Sequence, residues 1–424
     1  MADFYQGSVP TLHDLNNKST EQLENEIKKF SKERPIALVL PTIYSEIEGP
    51  AFKGIVEVLK GINYLNEIVV TLGGKRDGRQ LTSNDFYDVK QFISQISADI
   101  PVIWNTGQRI EGLYASLEKD GLEVGQDGKG RSAWMAYGYI LGGKGKKLGK
   151  RNKEKKSQII ALHDCDILTY DRRLLAKLIY PTVNPEIDKV FCKGFYPRYT
   201  DKFHGRVMRL FVTPFVKVLK EVAIEKGNKD AYNLCDYIAG FRYPLAGEFS
   251  MNVDLARRIR IPGDWGLEVG VLSEVYYREG IEGVIQVELT DKYEHKHQPV
   301  SYEDPTTGLS KMVIDITMSL MRSLSNLKME FSIETINMLS IAYRKAVQDY
   351  LERYRYDAQF NGLFYSQHDE QLTADTFEKG ISIAGKVLLK DPTGKKPIPN
   401  WNRVISAQPN FFDRLCRAVK EDNK

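Results

Sequence analysis

Two aspartates, Asp164 and Asp166, directly follow an apolar run and are the residues best suited to hold a metal ion. The run 158–162 is typical of a strand that is buried on both faces. Side chains at alternate positions of an extended strand point the same way, so both carboxylates are predicted to face one side. Ligands of open α/β sheets bind beyond the carboxyl ends of the strands. Two carboxylates there can hold Mg²⁺ or Mn²⁺, which in turn binds a diphosphate. An ordinary acidic strand end is the alternative.

The segment 293–299 offers two candidates for a further metal ligand, His295 and His297, at alternate positions. Imidazole is a common metal ligand, although a lone histidine is more often structural. Only one of the two needs to reach the ion, and the residues alone do not choose between them.

Glycines surround Lys129 at the predicted start of a helix. Gly128 and Gly130 allow the backbone to approach a ligand closely. The lysine and the helix N-terminus both favour an anion. The segment lacks the spacing of a P-loop. A phosphate contact and a turn with an exposed lysine therefore fit the pattern equally well.

Basic residues further along the chain indicate a second anion site. Lys193 and Arg198 share one segment, and Gly205 and Arg206 precede a long helix predicted over about 209–226. Arginine offers a planar fork suited to carboxylate or phosphate, and a helix N-terminus adds partial positive charge. Ion pairing at the surface is the alternative.

Two glutamates stand beside glycines in predicted loops. Glu248 follows Gly247, and Glu268 lies between Gly266 and Gly270. Either carboxylate could hold sugar hydroxyls or act as a base. Either could instead be a buried carboxylate whose hydrogen bonds are satisfied.

A mostly parallel sheet is predicted to position these residues. Strands are predicted at 36–41, 67–72, 102–105 and 158–166, with helices between them at 49–59, 86–96 and 130–141. Such alternation indicates βαβ units and an α/β, Rossmann-like fold. The first strand is predicted to end at Pro41, and the loop that follows it is where a base and ribose would rest. Taken alone, this segment fits an ordinary strand end better.

The composition excludes several classes of protein. The 424 residues carry 60 basic and 56 acidic side chains, a balance that argues against a nucleic-acid binder. The cysteines show no CxxC spacing, so neither a zinc site nor a disulfide framework is indicated, and a reduced cytoplasmic protein is expected. No run approaches the roughly 18 apolar residues of a membrane span, and residues 1–15 lack the apolar core of a signal peptide.

Several motifs, taken in order, resemble those of the glucosyl-3-phosphoglycerate synthases and their mannosyl-transferring relatives. They are LPTIYSE (40–46), GKG (128–130), DCD (164–166), GRV (205–207), PLAGE (244–248) and GLEVG (266–270). Trp134, Lys193 with Tyr196 and Arg198, and the His295 region extend the resemblance over about residues 36–300. The resemblance implies a retaining glycosyltransferase with the GT-A fold.

The resemblance also implies roles for individual residues that bind the donor and its metal. Those at the base, ribose or diphosphate of the nucleotide would be Leu40, Pro41, Glu46, Lys129 and Asp164. Those that line the sugar pocket would be Leu245, Ala246 and Gly247. The metal would be held by Asp166, by Asp164 beside it and by His295.

On the same basis, Asp166 and Glu268 are the expected catalytic residues, with Glu268 near the transferring centre. Gly205 and Arg206 would face the phosphate or carboxylate of the acceptor, on the side where Lys193 and Arg198 were placed above. Met208 departs from the family, which has a threonine after Gly-Arg-Val, and 42–45 departs from the usual exit loop. Sugar-nucleotide transfer is thus better supported than the identity of the acceptor.

The sequence therefore predicts an enzyme that moves a hexose, with retention and with Mg²⁺ or Mn²⁺, onto a small anionic acceptor such as 3-phosphoglycerate or glycerate. Glucose from UDP-glucose is the expected donor, and GDP-glucose and GDP-mannose are the alternatives. A nucleotidyltransferase and a non-catalytic protein that binds sugar nucleotides are the rival functions.

Three regions are predicted along the chain. Residues 1–33 would form a leader that ends in a helix, and 34–306 the GT-A catalytic domain, with 34–168 binding the nucleotide sugar and 169–306 the acceptor. Residues 307–424 carry apolar residues at helical spacing and would form a helical C-terminal extension. These helices could cover the acceptor or mediate a homodimer.

Overall fold

The computed structural model describes residues 4–143, 155–295, 300–394 and 396–424. In this part of the chain the strands are β1 (Thr11–Leu12), β2 (Ile36–Ile43), β3 (Glu67–Gly73), β4 (Lys75–Arg76), β5 (Arg79–Gln80), β6 (Val102–Trp104), β7 (Ile159–Leu162), β8 (Phe191–Phe195), β9 (Phe249–Asn252) and β10 (Val284–Glu288). Eight of them form one sheet in the order β1-β10-β8-β9-β7-β2-β3-β6. Only β9 runs antiparallel to its neighbours in that sheet.

Helices cover both faces of the sheet. They are α1 (Thr20–Phe30), α2 (Tyr44–Glu48), α3 (Pro50–Lys60), α4 (Ser83–Ile93), α5 (Gln108–Lys119), α6 (Lys129–Gly142), α7 (Arg172–Val183), α8 (Thr213–Glu225), α9 (Lys229–Ala239), α10 (Val253–Arg258), α11 (Leu267–Glu279), α12 (Gly308–Asn326), α13 (Ile333–Phe360), α14 (Gln367–Lys390), α15 (Trp401–Ala407) and α16 (Phe411–Asp422). A π-helix, Val207–Val212, runs directly into α8.

Alternating side chains of the central strands supply two separate cores. In β2, Ile36, Leu38 and Leu40 pack on the face covered by α1, α3, α4 and α7. Ala37 and Val39 pack on the opposite face, which the remaining long helices cover. A strand buried on both faces must be apolar throughout, which explains the continuous apolar runs in the sequence. The predicted mostly parallel α/β sheet is confirmed.

Strand β2 continues to Ile43 and does not end at Pro41 as predicted. Its neighbour β7 pairs with it only as far as Val39, whereas β3 follows it to Ile43. A proline is tolerated where a strand has a neighbour on one side alone, because the missing N–H is not needed there.

The helix predicted over 209–226 is a π-helix followed by α8, because Pro214 stands at the junction. Proline has no N–H to donate to the carbonyl four residues earlier, that of Leu210. The hydroxyl of Tyr343 donates to that carbonyl instead, at 2.7 Å. Helix α13 of the C-terminal region therefore helps to shape the start of α8.

The C-terminal helices pack against the sheet and its helices. Trp134 of α6 and Trp401 of α15 stack with their rings 4.1 Å apart, and the Trp134 indole donates to the carbonyl of Pro399 at 2.8 Å. The Asn423 amide donates to the carbonyl of Val102 at 2.7 Å, which covers the outer edge of β6. The leader also joins the sheet, because β1 pairs with β10. The predicted domain boundaries stay predictions.

No helix within the described residues is both long and apolar enough to cross a membrane.

Candidate active site

A cavity of about 680 Å³ lies at the carboxyl ends of the parallel strands. The predicted site residues that line it are Pro41, Glu46, Lys129, Asp164, Asp166, Arg198, Gly205, Arg206, Leu245, Gly247, Glu268 and His295. Strand exits that are far apart in sequence meet at one edge of a parallel sheet, which is why these residues converge.

Lys129 forms the centre of a charged cluster at the start of α6. Its Nζ lies 2.5 Å from Asp164 Oδ1 and 3.1 Å from Glu268 Oε1. A Cβ atom on Gly247 would lie 2.3 Å from Asp164 Oδ2 and 2.6 Å from Lys129 Nζ, so a side chain there would collide with the pair. Only a glycine leaves room for this contact.

Opposite charges fix the protonation of this cluster. Burial opposes the charge on Lys129, but the carboxylates of Asp164 and Glu268 outweigh it and raise the lysine pKa. Burial likewise opposes ionisation of Asp164, and Lys129 outweighs it and lowers the pKa of that carboxyl. The lysine and Asp164 are therefore both charged at neutral pH.

Asp164 and Asp166 turn to different partners, contrary to the predicted common orientation. Strand β7 ends at Leu162, so the alternation expected of an extended strand does not continue through both aspartates. Asp164 meets Lys129, whereas Asp166 Oδ2 lies 3.3 Å from His295 Nδ1. An antiparallel bridge between Ile167 and His295 holds the second pair together.

The Asp166 and His295 pair fits a divalent cation. Asp166 Oδ1 is buried and has no hydrogen-bond partner among the residues that the structure describes, and Oδ2 is close enough to the imidazole for both to bind one ion. Among the described residues, no group of three or more His, Cys, Asp and Glu side chains is arranged to hold a metal. Mg²⁺ commonly takes one or two protein ligands and completes its shell with substrate phosphates and water. His297, the alternative ligand, lies outside the described residues.

Glu248 lies outside the cavity lining and is completely buried. Its carboxylate accepts hydrogen bonds from Tyr196 at 2.6 Å and from Tyr293 at 2.7 Å, and the two phenol rings stack 3.6 Å apart. Burial and the charge of Asp164 raise the pKa of this carboxyl. Glu248 is thus the satisfied core carboxylate of the two glutamates, and Glu268 is the one that reaches the cavity.

Cationic side chains from the segment 198–209 form another part of the cavity lining, called here the cationic wall. They are Arg198, Lys202, Arg206 and Arg209. Gly205 has φ +67°, a conformation that favours glycine, and it turns the chain into the π-helix. Met208 also lines the cavity on this side. This wall is suited to an anionic ligand.

Three predicted site residues do not line the cavity. Leu40 and Ala246 are fully buried in the core. Lys193 is 1% exposed, and its Nζ donates to the carbonyl of Ala246 at 2.5 Å. Lys193 therefore stabilises the loop 244–248 through this hydrogen bond, and its side chain does not reach an acceptor in the cavity.

Lys193→Met is expected to change how stability depends on pH. Burial lowers the pKa of Lys193 from its ordinary 10.5 to about 8, so above pH 8 the unfolded chain binds more protons than the folded one. The stability of the unsubstituted protein therefore rises with pH through this window, and a methionine removes that rise. The stability of Lys193→Met relative to the unsubstituted protein should fall by about 3 kcal/mol between pH 7 and pH 11 in urea unfolding. A constant difference would contradict the lowered pKa.

The C-terminal helices supply part of the cavity wall through residues that were not predicted from the sequence, although covering the acceptor was one role predicted for these helices. Their lining residues are Leu309, Met312, Phe364, Tyr365, Ser366, Asp369 and Glu370. The connection between α13 and α14 is joined to the segment before the π-helix by a backbone hydrogen bond from Phe364 N to Asp201 O, at 2.7 Å. No local pattern identifies these residues; Glu370, for example, is 164 positions from Arg206.

Comparison with characterised proteins identifies the family. The glucosyl-3-phosphoglycerate synthase of Persephonella marina is 41% identical over 424 residues, which span 100% of this chain and 99% of that protein. The chain belongs to the glucosyl-3-phosphoglycerate synthase family. The synthase of Methanococcoides burtonii is 35% identical over 427 residues, 100% of this chain and 98% of that protein. No family model matches the chain.

Solved structures of the family share the fold. The glucosyl-3-phosphoglycerate synthase of Mycobacterium tuberculosis, crystallised with Mn²⁺, UDP-glucose and phosphoglyceric acid, has a TM-score of 0.51 and 18% identity over 76% of this chain and 89% of that one. The mannosyl-3-phosphoglycerate synthase of Rubrobacter xylanophilus has a TM-score of 0.53 and 18% identity over 76% and 83%. The GT-A-like fold expected from the sequence is thereby confirmed.

Proposed function

We propose that this protein transfers glucose from UDP-glucose to 3-phosphoglycerate, with Mg²⁺ or Mn²⁺ bound, and releases UDP. The observation that carries the proposal is the 41% identity, over the whole chain, to a glucosyl-3-phosphoglycerate synthase. The cavity supports it, because it pairs an acidic end with a cationic wall. A metal–diphosphate complex suits the acidic end, and an acceptor phosphate or carboxylate suits the cationic wall.

The donor occupies the acidic end in this proposal. Pro41, inside the last part of β2, and Glu46, in α2, take the base and ribose, and Leu245 and Gly247 line the glucose pocket. The metal is held by Asp166 and His295, and when bound it stabilises negative charge on the departing diphosphate as a Lewis acid. Asp164 acts indirectly, because its carboxylate holds Lys129 at 2.5 Å.

Transfer joins an acceptor hydroxyl oxygen to the anomeric carbon while the bond from that carbon to the UDP oxygen breaks. The hydroxyl proton passes to the oxygen of the departing UDP as the new bond forms. Glu268 is 6% exposed, lines the cavity and is held in place by Lys129, so it is the carboxylate proposed beside the transferring centre. Retention of the anomeric configuration is part of the proposal.

The acceptor binds at the cationic wall. Arg206, at the start of the π-helix, and Arg198, whose Nη1 donates to the Tyr243 hydroxyl at 2.7 Å, face it together with Gly205. Guanidinium groups bind phosphate and carboxylate through two parallel hydrogen bonds. A cytoplasmic location is also proposed, since all four cysteines are free, as in proteins of reducing compartments.

A donor-by-acceptor panel tests the proposal. UDP-glucose, GDP-glucose and GDP-mannose are each offered with 3-phosphoglycerate, with glycerate or alone, in Mg²⁺, Mn²⁺ or EDTA. The expected result is UDP release from UDP-glucose that needs the metal and is stimulated by 3-phosphoglycerate, with a product whose linkage is read by NMR. Release that no acceptor stimulates would contradict the proposed acceptor, and release of pyrophosphate would indicate a nucleotidyltransferase.

A further inference from the structure

A buried carboxylate from the C-terminal helices faces two arginines of the cationic wall. Glu370 lies in the first turns of α14 and is 5% exposed. Its Oε2 accepts from Arg209 Nη1 at 2.9 Å, and its Oε1 accepts from Arg209 Nη2 at 3.2 Å and from Arg206 Nε at 3.1 Å. One carboxylate therefore binds both arginines of the segment 205–209.

Arg209 is fully engaged by protein groups. Its Nε donates to the carbonyl of His204 at 2.8 Å, and its guanidinium carbon lies 4.7 Å from the centre of the Tyr354 ring. The side chain is 9% exposed, and Glu370 balances its charge through both Nη atoms. Arg209 thus stabilises the cationic wall and is not available to a ligand.

Arg206 is differently placed. A third of its side chain is exposed, and it lines the cavity. Glu370 takes its Nε, and neither Nη atom has a protein partner among the residues that the structure describes. The fork of Nη atoms is the part of a guanidinium that binds phosphate or carboxylate through two hydrogen bonds. One carboxylate against two guanidinium groups leaves the cluster of Glu370, Arg206 and Arg209 with one net positive charge.

We infer that Glu370 is a positioning residue for the acceptor: by holding Arg206 through Nε, it presents the Nη fork of Arg206 to the acceptor's phosphate. This rests on the proposed function, in which a phosphorylated acceptor binds at the cationic wall. It also gives the C-terminal helices a part in acceptor recognition, because α14 supplies a residue from outside the GT-A core.

Glu370→Gln tests the inference with little change in shape. The amide has one acceptor oxygen and no charge, and its NH₂ group cannot accept from a guanidinium, so the hold of residue 370 on Arg206 weakens. The KM for 3-phosphoglycerate and its Kd in calorimetry should both rise about tenfold or more, since a hydrogen bond to a charged group is lost. The KM for UDP-glucose and the slow hydrolysis of UDP-glucose without acceptor should stay within about twofold. Glu370→Asp, which keeps the charge, should recover part of the acceptor affinity and serves if the glutamine variant folds poorly.

A double-mutant cycle separates positioning from simple stabilisation. If Glu370 acts through Arg206, then Arg206→Ala combined with Glu370→Gln should bind 3-phosphoglycerate as weakly as Arg206→Ala alone. Glu274→Gln is the matched control, since Glu274 is also a buried glutamate that bonds two arginines, Arg260 and Arg278, outside the cavity lining. It should lower thermal stability without weakening acceptor binding.

The binding measurement distinguishes failure of the inference from failure of the proposed function. If the unsubstituted protein binds 3-phosphoglycerate but transfers no glucose to it, the proposed function fails, and weaker binding to Glu370→Gln still supports the inference. Additive effects in the cycle, unchanged affinity in Glu370→Gln, or no binding of 3-phosphoglycerate to the unsubstituted protein would each overturn the inference.

Discussion

Asp166→Asn should lower glucosyl transfer by about 10³-fold or more. The substitution keeps the size of the side chain but removes the charge from the proposed metal ligand next to His295. An amide oxygen is a much weaker partner for a hard divalent cation, so the diphosphate would lose its counter-charge as it departs. Stopped assays of UDP release with saturating UDP-glucose and 3-phosphoglycerate measure the effect.

Two further readouts show whether the loss comes from the metal. Mn²⁺ binding in the presence of UDP, followed by electron paramagnetic resonance, should weaken at least tenfold. Thermal stability should change little, because loss of the 3.3 Å contact with His295 is offset by removal of charge from Oδ1, which is buried and has no hydrogen-bond partner among the described residues.

Asp171→Asn is the matched control for Asp166→Asn. Asp171 lies five positions further along, outside the cavity lining, where it caps α7 by accepting from Leu174 N at 2.7 Å. Asparagine caps helices about as well as aspartate does, so activity and metal binding should be unchanged. Equal activity of Asp166→Asn and the control would contradict the role given to Asp166.

The sheet could be predicted from sequence because its strands are buried on both faces. Continuous apolar runs such as 36–40 and 159–162 arise from that burial, and the helices between them leave little choice but parallel pairing. The π-helix could not be predicted, because it depends on Pro214 and on the distant hydroxyl of Tyr343, which satisfies the carbonyl of Leu210. Such a local departure is set by tertiary contacts and leaves no periodic pattern.

Site residues could be predicted from the sequence where they follow a strand or begin a helix. Asp166, Lys129 and Glu268 lie at strand exits or helix starts, where a ligand is expected, and all three line the cavity. Lys193 was misplaced, since a lysine in an apolar strand gives no sign of whether it points to the cavity or to a carbonyl. Glu370 could not be found, because nothing local links a helix near the C-terminus to an arginine at position 206.

Lys129→Met is expected to lower both stability and transfer, because it leaves Asp164 and Glu268 without their shared partner. Their side chains are 29% and 8% exposed, so water can replace only part of the lost interaction. The free energy of unfolding at pH 7 should fall by about 2 kcal/mol, below the 3–5 kcal/mol typical of a fully buried pair. Transfer should fall by about 10²-fold, since Glu268 loses the contact that places it beside the transferring centre.

The pH dependence of this loss follows from the two pKa shifts. Lys129 lowers the pKa of Asp164, so that contribution is present above the ordinary value of 3.8 and disappears as the pH falls through the lowered one. The two carboxylates raise the pKa of Lys129, so its contribution is present below 10.5 and disappears only above it. The difference between Lys129→Met and the unsubstituted protein should therefore be constant from about pH 7 to pH 10 and shrink in acid, because in the variant burial, no longer opposed by Lys129, raises the pKa of Asp164.

Urea unfolding across this range is the measurement, and Lys155→Met is its control. Lys155 forms a pair with Glu33 at 3.1 Å, but both side chains are more than half exposed, at 58% and 83%. Exposed pairs contribute at most about 1 kcal/mol, so that variant should differ little from the unsubstituted protein at any pH. If Lys129→Met were as stable as Lys155→Met, the cluster would not depend on its lysine. The close approach of Lys129 to Asp164, for which Gly247 leaves room, would then contribute nothing to stability.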